Sequence, residues 1–142
     1  MTIKSIPDGY HSVTPYLSIK GAAEAIEFYK RAFSATELFR LVAPNGEIGH
    51  AEIKIGDSPI MLADPYEEGA FRNPRSLGGS SVGLHVYVED VDALFVQAVD
   101  AGAKIWRYAV VAIGYGFNSH AFSPFQVRLP SRSSSYHNEN KS

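Results

Sequence analysis

Two stretches of the chain share one pattern of apolar and polar positions. In residues 82–103, VGLHVYVEDVDALFVQAVDAGA, every second residue up to Val88 is apolar, which predicts a strand with one buried face. The apolar residues then recur at helical spacing, and Asp90 is placed to cap that helix. Gly102 suits the left-handed residue that ends many helices. The stretch therefore predicts a strand, a tight turn and a helix.

An earlier stretch, residues 13–35, repeats this pattern. A shift of 69 positions places its apolar strand and helix residues on those of the later stretch. Because the shift is close to half of the 142-residue chain, two copies of one strand–helix unit are indicated. The first helix is predicted over 22–33. Ser34 then stands where the second copy has Gly102. Because a left-handed backbone mildly strains a non-glycine residue, we expect either a different cap or a small stability cost.

More strands are predicted around the first helix. The first strand is expected over about 12–19, and three alternating segments follow the helix at 36–42, 48–55 and 59–63. Asn45-Gly46 separates the first two of these segments and is a strong hairpin signal, because both residue types tolerate positive φ. Unit one is therefore predicted to be βαβββ.

A connector rich in Gly, Pro and charge separates the two units. It is longer than most loops, and a lid-like functional loop and a plain linker are equally consistent with it. We predict a single domain over 1–142, with module one at about 12–64, the linker at 65–80 and module two at about 81–130. The polar tail at 131–142 is expected to be disordered.

Composition narrows the functional classes. Hydrophobic residues make up 45% of the chain, which supports a real core, while the net charge of −2 and dispersed basic residues give no nucleic-acid surface. The chain has no cysteine, which excludes disulfides and thiolate metal sites. No apolar run approaches the roughly 20 residues of a membrane span. We expect a cytoplasmic protein with no nucleic-acid or membrane partner.

Three segments taken together resemble one superfamily. YLSIKGAAEAIEFYKRAF, GEIGHAEIKIGDSPIMLAD and GLHVYVEDVDALFVQAVDAGA resemble the vicinal oxygen chelate superfamily, most closely the glyoxalase- and bleomycin-resistance-like proteins of the PhnB-like branch. The resemblance extends over about 10–104. It implies an α+β fold in which two βαβββ modules form an incomplete barrel around a shared cleft, with the helices on the convex faces. It also implies a homodimer that holds a small-molecule ligand in the cleft.

Strand alternation assigns residues to the two faces of this barrel. The apolar faces are expected to meet the helices: Val13, Leu17, Ile19, Ile53, Ile55, Ile60, Leu62, Leu84, Val86 and Val88. The opposite faces are expected to line the cleft and bind the ligand: Thr14, Tyr16, His50, Glu52, Met61, His85 and Tyr87. A partly aromatic cleft with few polar groups suits a small organic ligand. Each of these residues also has a purely structural alternative, in packing or in facing water.

The resemblance also places the superfamily's metal ligands, which are His or Glu on the first and fourth strands of each module. The equivalent positions here are Thr14, Met61, Gly83 and, in the last strand, a position near Pro130. None is a usual ligand for a hard divalent ion, so no cofactor is predicted. A divalent metal held by His50, Glu52 and His85 is the alternative, because two His and one carboxylate form an accepted ligand set.

The C-terminal part departs from the PhnB-like pattern. That pattern has a Gly-Asp-Arg segment and then Asp-Pro-Phe-Gly, whereas this chain has YGFN at 115–118 and SPFQ at 123–126. A shift of reading frame and true divergence both explain the difference. Three functions stay open: binding of a small organic ligand without demonstrated catalysis, a divalent-metal-dependent lyase, isomerase or dioxygenase, and a degenerate non-catalytic member with an altered second half.

Overall fold

The computed structural model describes residues 3–66, Gly69 and 71–104. The elements in chain order are β1 (Tyr16–Ser18), α1 (Ala22–Phe33), β2 (Thr36–Val42), β3 (Ile48–Ile55), β4 (Ser58–Ala63), α2 (Pro74–Leu77) and α3 (Val91–Asp100). The first five elements form the predicted βαβββ module, and α1, β2 and β3 have the predicted bounds. The strands predicted after Lys104 and the tail lie outside the described residues. No helix within the described part is long and apolar enough to cross a membrane.

The strands form one four-stranded sheet in the order β1-β4-β3-β2. β1 runs parallel to β4, and the other neighbours are antiparallel. The β2–β3 hairpin confirms the turn predicted at Asn45-Gly46, but only Gly46 has positive φ, at 85°. The Asn45 side chain instead accepts a hydrogen bond from the Glu47 backbone N–H at 3.1 Å. Asn45 therefore supports the turn through its amide oxygen rather than through a left-handed backbone.

The strand predicted over 12–19 is short at its start. Pro15 has no N–H to donate to a sheet ladder, so β1 begins only at Tyr16. The Pro15 carbonyl still accepts a hydrogen bond from the Met61 N–H at 2.9 Å. Val13 lies before this point and is 82% exposed, so its predicted place on the apolar face is wrong.

The core lies between α1 and one face of the sheet. The apolar side of α1 is buried, including Ile26 and Phe28, because its apolar residues recur at helical spacing. The sheet contributes Ile53, Ile55, Ile60 and Leu62, which are the residues that alternation predicted for this face. Burial raises the pKa of the Tyr29 hydroxyl to about 12.

Both ends of α1 need support from elsewhere in the chain. At the first end, Gly21 has φ of 81° and supplies no capping side chain. The Asp64 carboxylate takes that role: its Oδ1 accepts from the N–H groups of Gly21 at 2.7 Å and Ala22 at 3.2 Å. Its Oδ2 accepts from the Ile48 N–H at 2.9 Å. Asp64 thus joins the helix N-terminus, where negative charge is favourable, to the sheet.

At the other end of α1, the structure has the left-handed Ser34 rather than a different cap. Ser34 has φ of 54°, and its N–H bonds back to the Tyr29 carbonyl. The Gln97 side chain of α3 donates to the Ser34 hydroxyl at 3.0 Å and to the Arg31 carbonyl at 2.9 Å. Ala98 of α3 is fully buried in the same core. The second helix of the sequence repeat therefore packs directly against the end of the first.

The predicted cap of the second helix is confirmed, but the strand before it is not assigned. Asp90 Oδ1 accepts from the Ala93 N–H at 2.9 Å. Residues 82–88 keep the predicted alternation only in part: Leu84 and Val86 pack against the core, whereas Val88 is exposed. A strand needs a hydrogen-bonded neighbour, and within the described residues no backbone bond supplies one to this segment.

The described part of the connector between the modules contains a short helix. This helix, α2, begins after Asn73, and the Asn73 side chain accepts from the N–H groups of Arg75 and Ser76. Gly78 ends the helix with φ of 76°. Phe71 precedes this turn, and its carbonyl accepts a hydrogen bond from the Ser18 hydroxyl at 3.4 Å. This hydrogen bond joins the connector to β1 at Phe71.

Candidate functional site

The sheet face that points away from α1 carries a row of side chains from all four strands. The strand register pairs Tyr16 with Met61, Met61 with Glu52, and Glu52 with Phe39. His50 lies two residues before Glu52 and shares its face, because strand side chains alternate. We call this surface the open face; it consists of Tyr16, Phe39, His50, Glu52 and Met61. Tyr16 is 40% exposed, so a ligand can reach it.

Four polar groups on and beside the open face form one hydrogen-bonded chain. The Tyr16 hydroxyl lies 3.0 Å from His50 Nδ1. His50 Nε2 lies 3.1 Å from Glu52 Oε1. The Tyr10 hydroxyl donates to the other oxygen of the same carboxylate, Oε2. We call these four residues, Tyr10, Glu52, His50 and Tyr16, the polar chain.

The Glu52 carboxylate is the charged member of the polar chain. The hydrogen bonds from Tyr10 and then from His50 hold the pKa of the Glu52 carboxyl below its usual range. The pKa of the Tyr10 hydroxyl is raised, chiefly because that hydroxyl donates to Glu52. Glu52 is therefore ionised at neutral pH, and an ionised carboxylate only accepts hydrogen bonds.

The polar chain lies within a set of aromatic rings. Tyr16 stacks with His50, with ring centroids 5.4 Å apart, and with Phe71, with ring centroids 5.0 Å apart. The interplanar angles are 21° and 23°. Phe39 approaches His50 from β2 at 6.2 Å and is itself half exposed. The open face thus combines stacked, accessible ring surface with a fixed polar group, the combination found in sites for small organic ligands.

The structure brings some of the predicted site residues together and not others. Tyr16, His50, Glu52 and Met61 lie together on the open face. Thr14 is half-buried just before β1. His85 and Tyr87 are exposed in the segment 82–88, with Tyr87 at 78% exposure.

The donor set for a divalent metal is incomplete in the described part of the chain. His50 and Glu52 bond to each other, but His85 does not join them. No group of three or more His, Cys, Asp or Glu side chains among residues 3–66, Gly69 and 71–104 is arranged to hold a metal ion. The described residues therefore do not bring together the alternative ligand set of His50, Glu52 and His85.

Three residues of the site were not predicted from the sequence. Tyr10 lies in the lead-in before β1 and Phe71 in the connector, and neither segment has a periodic pattern that assigns its side chains to a face. Phe39 could have been found, because β2 and β3 form the predicted hairpin. Only the register, with its irregularity between Glu37 and Phe39, decides which residue faces Glu52.

A shallow groove of about 900 Å³ lies elsewhere on the surface, between α1 and α3. It is lined by Arg31, Asp90, Asp92, Ala93, Val96, Gln97, Asp100 and Ala101. The groove shares no residue with the polar chain. Its acidic residues lie along an exposed helix and have no stacked ring surface, so the open face is the better candidate site.

Relatives of known sequence cover most of the chain. The uncharacterized protein Mb0911c of Mycobacterium bovis is 40% identical over 118 residues, which cover 74% of this chain and 78% of that protein. The uncharacterized protein Rv0887c of Mycobacterium tuberculosis is also 40% identical over 118 residues, and the match covers 74% of this chain and 69% of that protein.

Solved structures share the fold. A gene product from Arabidopsis thaliana is similar with a TM-score of 0.56 and 26% identity, over 67% of this chain and 75% of that one. TioX from Micromonospora sp. ML1 is similar in fold, with a TM-score of 0.51 and 24% identity, over 75% of this chain and 81% of that one.

The model of the Glyoxalase/Bleomycin resistance protein/Dioxygenase superfamily matches residues 11–129. The chain belongs to the glyoxalase/bleomycin resistance protein/dioxygenase superfamily.

Proposed function

We propose that this protein is a PhnB-like member of its superfamily that binds a small organic ligand on the open face. The observation that carries the proposal is the accessible Tyr16 ring, which stacks with His50 and with Phe71 and whose hydroxyl lies within hydrogen-bond distance of His50. Flat ring surface favours an aromatic or otherwise planar ligand, because offset stacking contributes about 0.5–1.5 kcal/mol beyond area burial. Met61 in the same row supplies an adaptable apolar contact.

The polar members of the open face favour a ligand with a hydrogen-bonding group beside its ring. Tyr16 can donate to or accept from such a group, and Glu52 makes the local charge negative. A neutral ligand with a carbonyl or hydroxyl next to its ring is therefore favoured over an aromatic carboxylate, which Glu52 would repel. The metal-dependent alternative lacks a complete donor set in the described residues, and no step is assigned to a metal.

Titration with a matched pair of variants tests this proposal. Nuclear magnetic resonance or calorimetric titration would use α-hydroxyacetophenone, benzoate and bleomycin as probes. Phe71→Ala removes one ring of the stack and should weaken binding of α-hydroxyacetophenone by about tenfold, the upper range for one aromatic pair. Tyr66→Ala removes a ring that is 76% exposed, and should leave the affinity unchanged. If the protein is well folded and no probe changes its resonance spectrum or gives a heat of binding, the proposal is contradicted.

We also propose that two copies of the chain associate, as the resemblance implies. β2 lies at one edge of the described sheet, and Leu38, Phe39, Leu41 and Val42 are each about half exposed along it. An apolar strand edge favours pairing with another strand. Light scattering behind a size-exclusion column measures the mass directly. A monomer at concentrations of about 100 μM would contradict the expectation, since stable homodimers have far lower dissociation constants.

A further inference from the structure

The two oxygens of the Glu52 carboxylate are held in different ways. Oε1 lies 3.1 Å from Nε2 of His50, which belongs to the same strand. Oε2 accepts a hydrogen bond from the hydroxyl of Tyr10, which lies 42 positions earlier in the chain and precedes β1. The first contact is built into β3, whereas the second depends on a segment outside the sheet. Oε2 is therefore a position on the open face whose partner can be exchanged while the strands stay in place.

The segment that carries Tyr10 consists of residues 3–12, and we call it the lead-in. Its other described hydrogen bonds stay within the segment: the Tyr10 N–H donates to the Pro7 carbonyl at 3.1 Å, and Lys4 pairs with Asp8 at 2.7 Å. Tyr10 is half-buried, and every other residue of the lead-in is exposed. Segments with few buried contacts open locally at low cost in free energy. The lead-in can therefore leave the open face while the core stays folded.

The Glu52 carboxylate restricts which group can take the place of the Tyr10 hydroxyl. Glu52 is ionised and only accepts hydrogen bonds, so the partner at Oε2 must be a donor. The strand register places Glu52, Met61 and Tyr16 in one row across three neighbouring strands. Because neighbouring strands lie about 4.8 Å apart, a ring whose hydroxyl meets Oε2 lies over Met61 and reaches toward Tyr16. A phenol has a pKa of about 10 and is neutral at pH 7, so Glu52 does not repel it.

We propose that Tyr10 is a built-in competitor at this site, and that the ligand is a hydroxyaryl compound whose hydroxyl replaces that of Tyr10 at Glu52. Binding of the ligand then releases the lead-in from the open face. The exchange puts one phenol in the place of another at the same carboxylate, so no hydrogen bond is lost, and the ligand ring gains stacking on Tyr16. This inference rests on the proposed ligand binding and names the group that the site recognises.

Titration with a matched pair of probes tests the competition. The probes are para-cresol, which is the tyrosine side chain as a free molecule, and para-methylanisole, whose methylated oxygen cannot donate. Tyr10→Phe keeps the ring and removes the competing hydroxyl. It should bind para-cresol about tenfold more tightly than the wild type, because a site that is free about 10% of the time binds with one tenth of its intrinsic affinity. Its affinity for para-methylanisole should change by less than about twofold.

The control variant is Tyr66→Phe, which removes an exposed hydroxyl outside the polar chain and should bind both probes like the wild type. A second measurement follows the lead-in in the wild-type protein. Amide nitrogen relaxation reports motion of its backbone on the picosecond to nanosecond timescale. Saturation with para-cresol should make the lead-in amides mobile, whereas para-methylanisole should leave them as they are in the free protein. A merely structural contact of Tyr10 would not distinguish the two probes.

The outcomes separate this inference from the proposed binding. A tenfold gain for para-cresol alone, together with a lead-in that para-cresol makes mobile, would establish the competition. An equal gain for both probes, no gain for para-cresol, or a lead-in that keeps its free-state relaxation in saturating para-cresol would each overturn it. The last result needs no variant, so it decides the question even if Tyr10→Phe does not fold. Binding of α-hydroxyacetophenone but not of para-cresol would overturn this inference and leave the binding proposal standing. Absence of binding by every probe would overturn both.

Discussion

Replacement of Asp64 by asparagine tests how the first helix is fixed to the sheet. The Asp64 carboxylate accepts hydrogen bonds from Gly21 and Ala22 with one oxygen and from Ile48 with the other. Asparagine is almost the same size and keeps one acceptor oxygen. If that oxygen stays with the helix N-terminus, the side-chain NH₂ group faces the Ile48 N–H, and two donors then meet.

The expected loss of stability has two sources, the hydrogen bond from Ile48 and the negative charge at the start of α1. A hydrogen bond to a charged group contributes about 1.5–3 kcal/mol, and leaving its donor unsatisfied costs a similar amount. Loss of the negative charge at the start of α1 adds about 0.3–1 kcal/mol. Asp64 is only half-buried, so water can partly solvate the orphaned groups. We expect Asp64→Asn to lower the free energy of unfolding by about 2–3 kcal/mol.

Urea unfolding at neutral pH measures this difference in the free energy of unfolding. The comparison holds when the dependence of that free energy on urea concentration is the same in both proteins. Asp57→Asn is the control, because Asp57 lies in an exposed turn and its carboxylate accepts from the neighbouring Ser58 hydroxyl. The control should change stability by less than about 0.5 kcal/mol. Hydrogen exchange at the Ile48 amide should accelerate in Asp64→Asn alone. An Asp64→Asn protein within about 0.5 kcal/mol of the wild type would refute the assignment.

Three further predictions follow from the core, a helix end and the polar chain. Phe28→Ala should cost about 3–5 kcal/mol in urea unfolding, because the ring is 2% exposed and leaves a cavity; a cost below about 1 kcal/mol would show that Phe28 is not part of the core. Ser34→Gly should be more stable than Ser34→Ala by about 1 kcal/mol, because both lose the hydroxyl bonded to Gln97 and only glycine relieves the left-handed backbone; equal stabilities would contradict this. Because the pKa of Glu52 is lowered in the folded state, its stabilising contribution is present above its ordinary pKa of 4.5 and is lost as pH falls through the lower folded value. Acid unfolding should therefore cost wild type more stability than Glu52→Gln over that range, and identical profiles would contradict the assignment.

Much of the first module follows from local patterns. The apolar spacing of 22–33 and the alternation in 48–55 predict α1 and β3 with the bounds that the structure has. The same alternation places His50 and Glu52 on one face, opposite Ile53. These features depend on neighbours within one helix or strand, and a period of 3.6 or 2 residues is enough to assign them.

Alternation was insufficient where a segment depends on partners elsewhere in the chain. Residues 82–88 alternate as a strand does, yet no strand forms there within the described residues, because a ladder requires a paired neighbour. His85 shares the pattern of His50 but lies exposed and apart from it. Phe71 gave no periodic signal, although the structure stacks it on Tyr16.

The βαβββ order, the buried face of α1 and the candidates His50, Glu52 and Tyr16 follow from the amino-acid pattern alone, because each depends on spacing along a single element. The contact of Tyr16, from β1, with His50 on β3 and the contact of Tyr10 with Glu52 depend on how the strands assemble. These contacts join residues 34 and 42 positions apart. Strand order and register bring such residues together, and no periodicity within a single strand encodes either one.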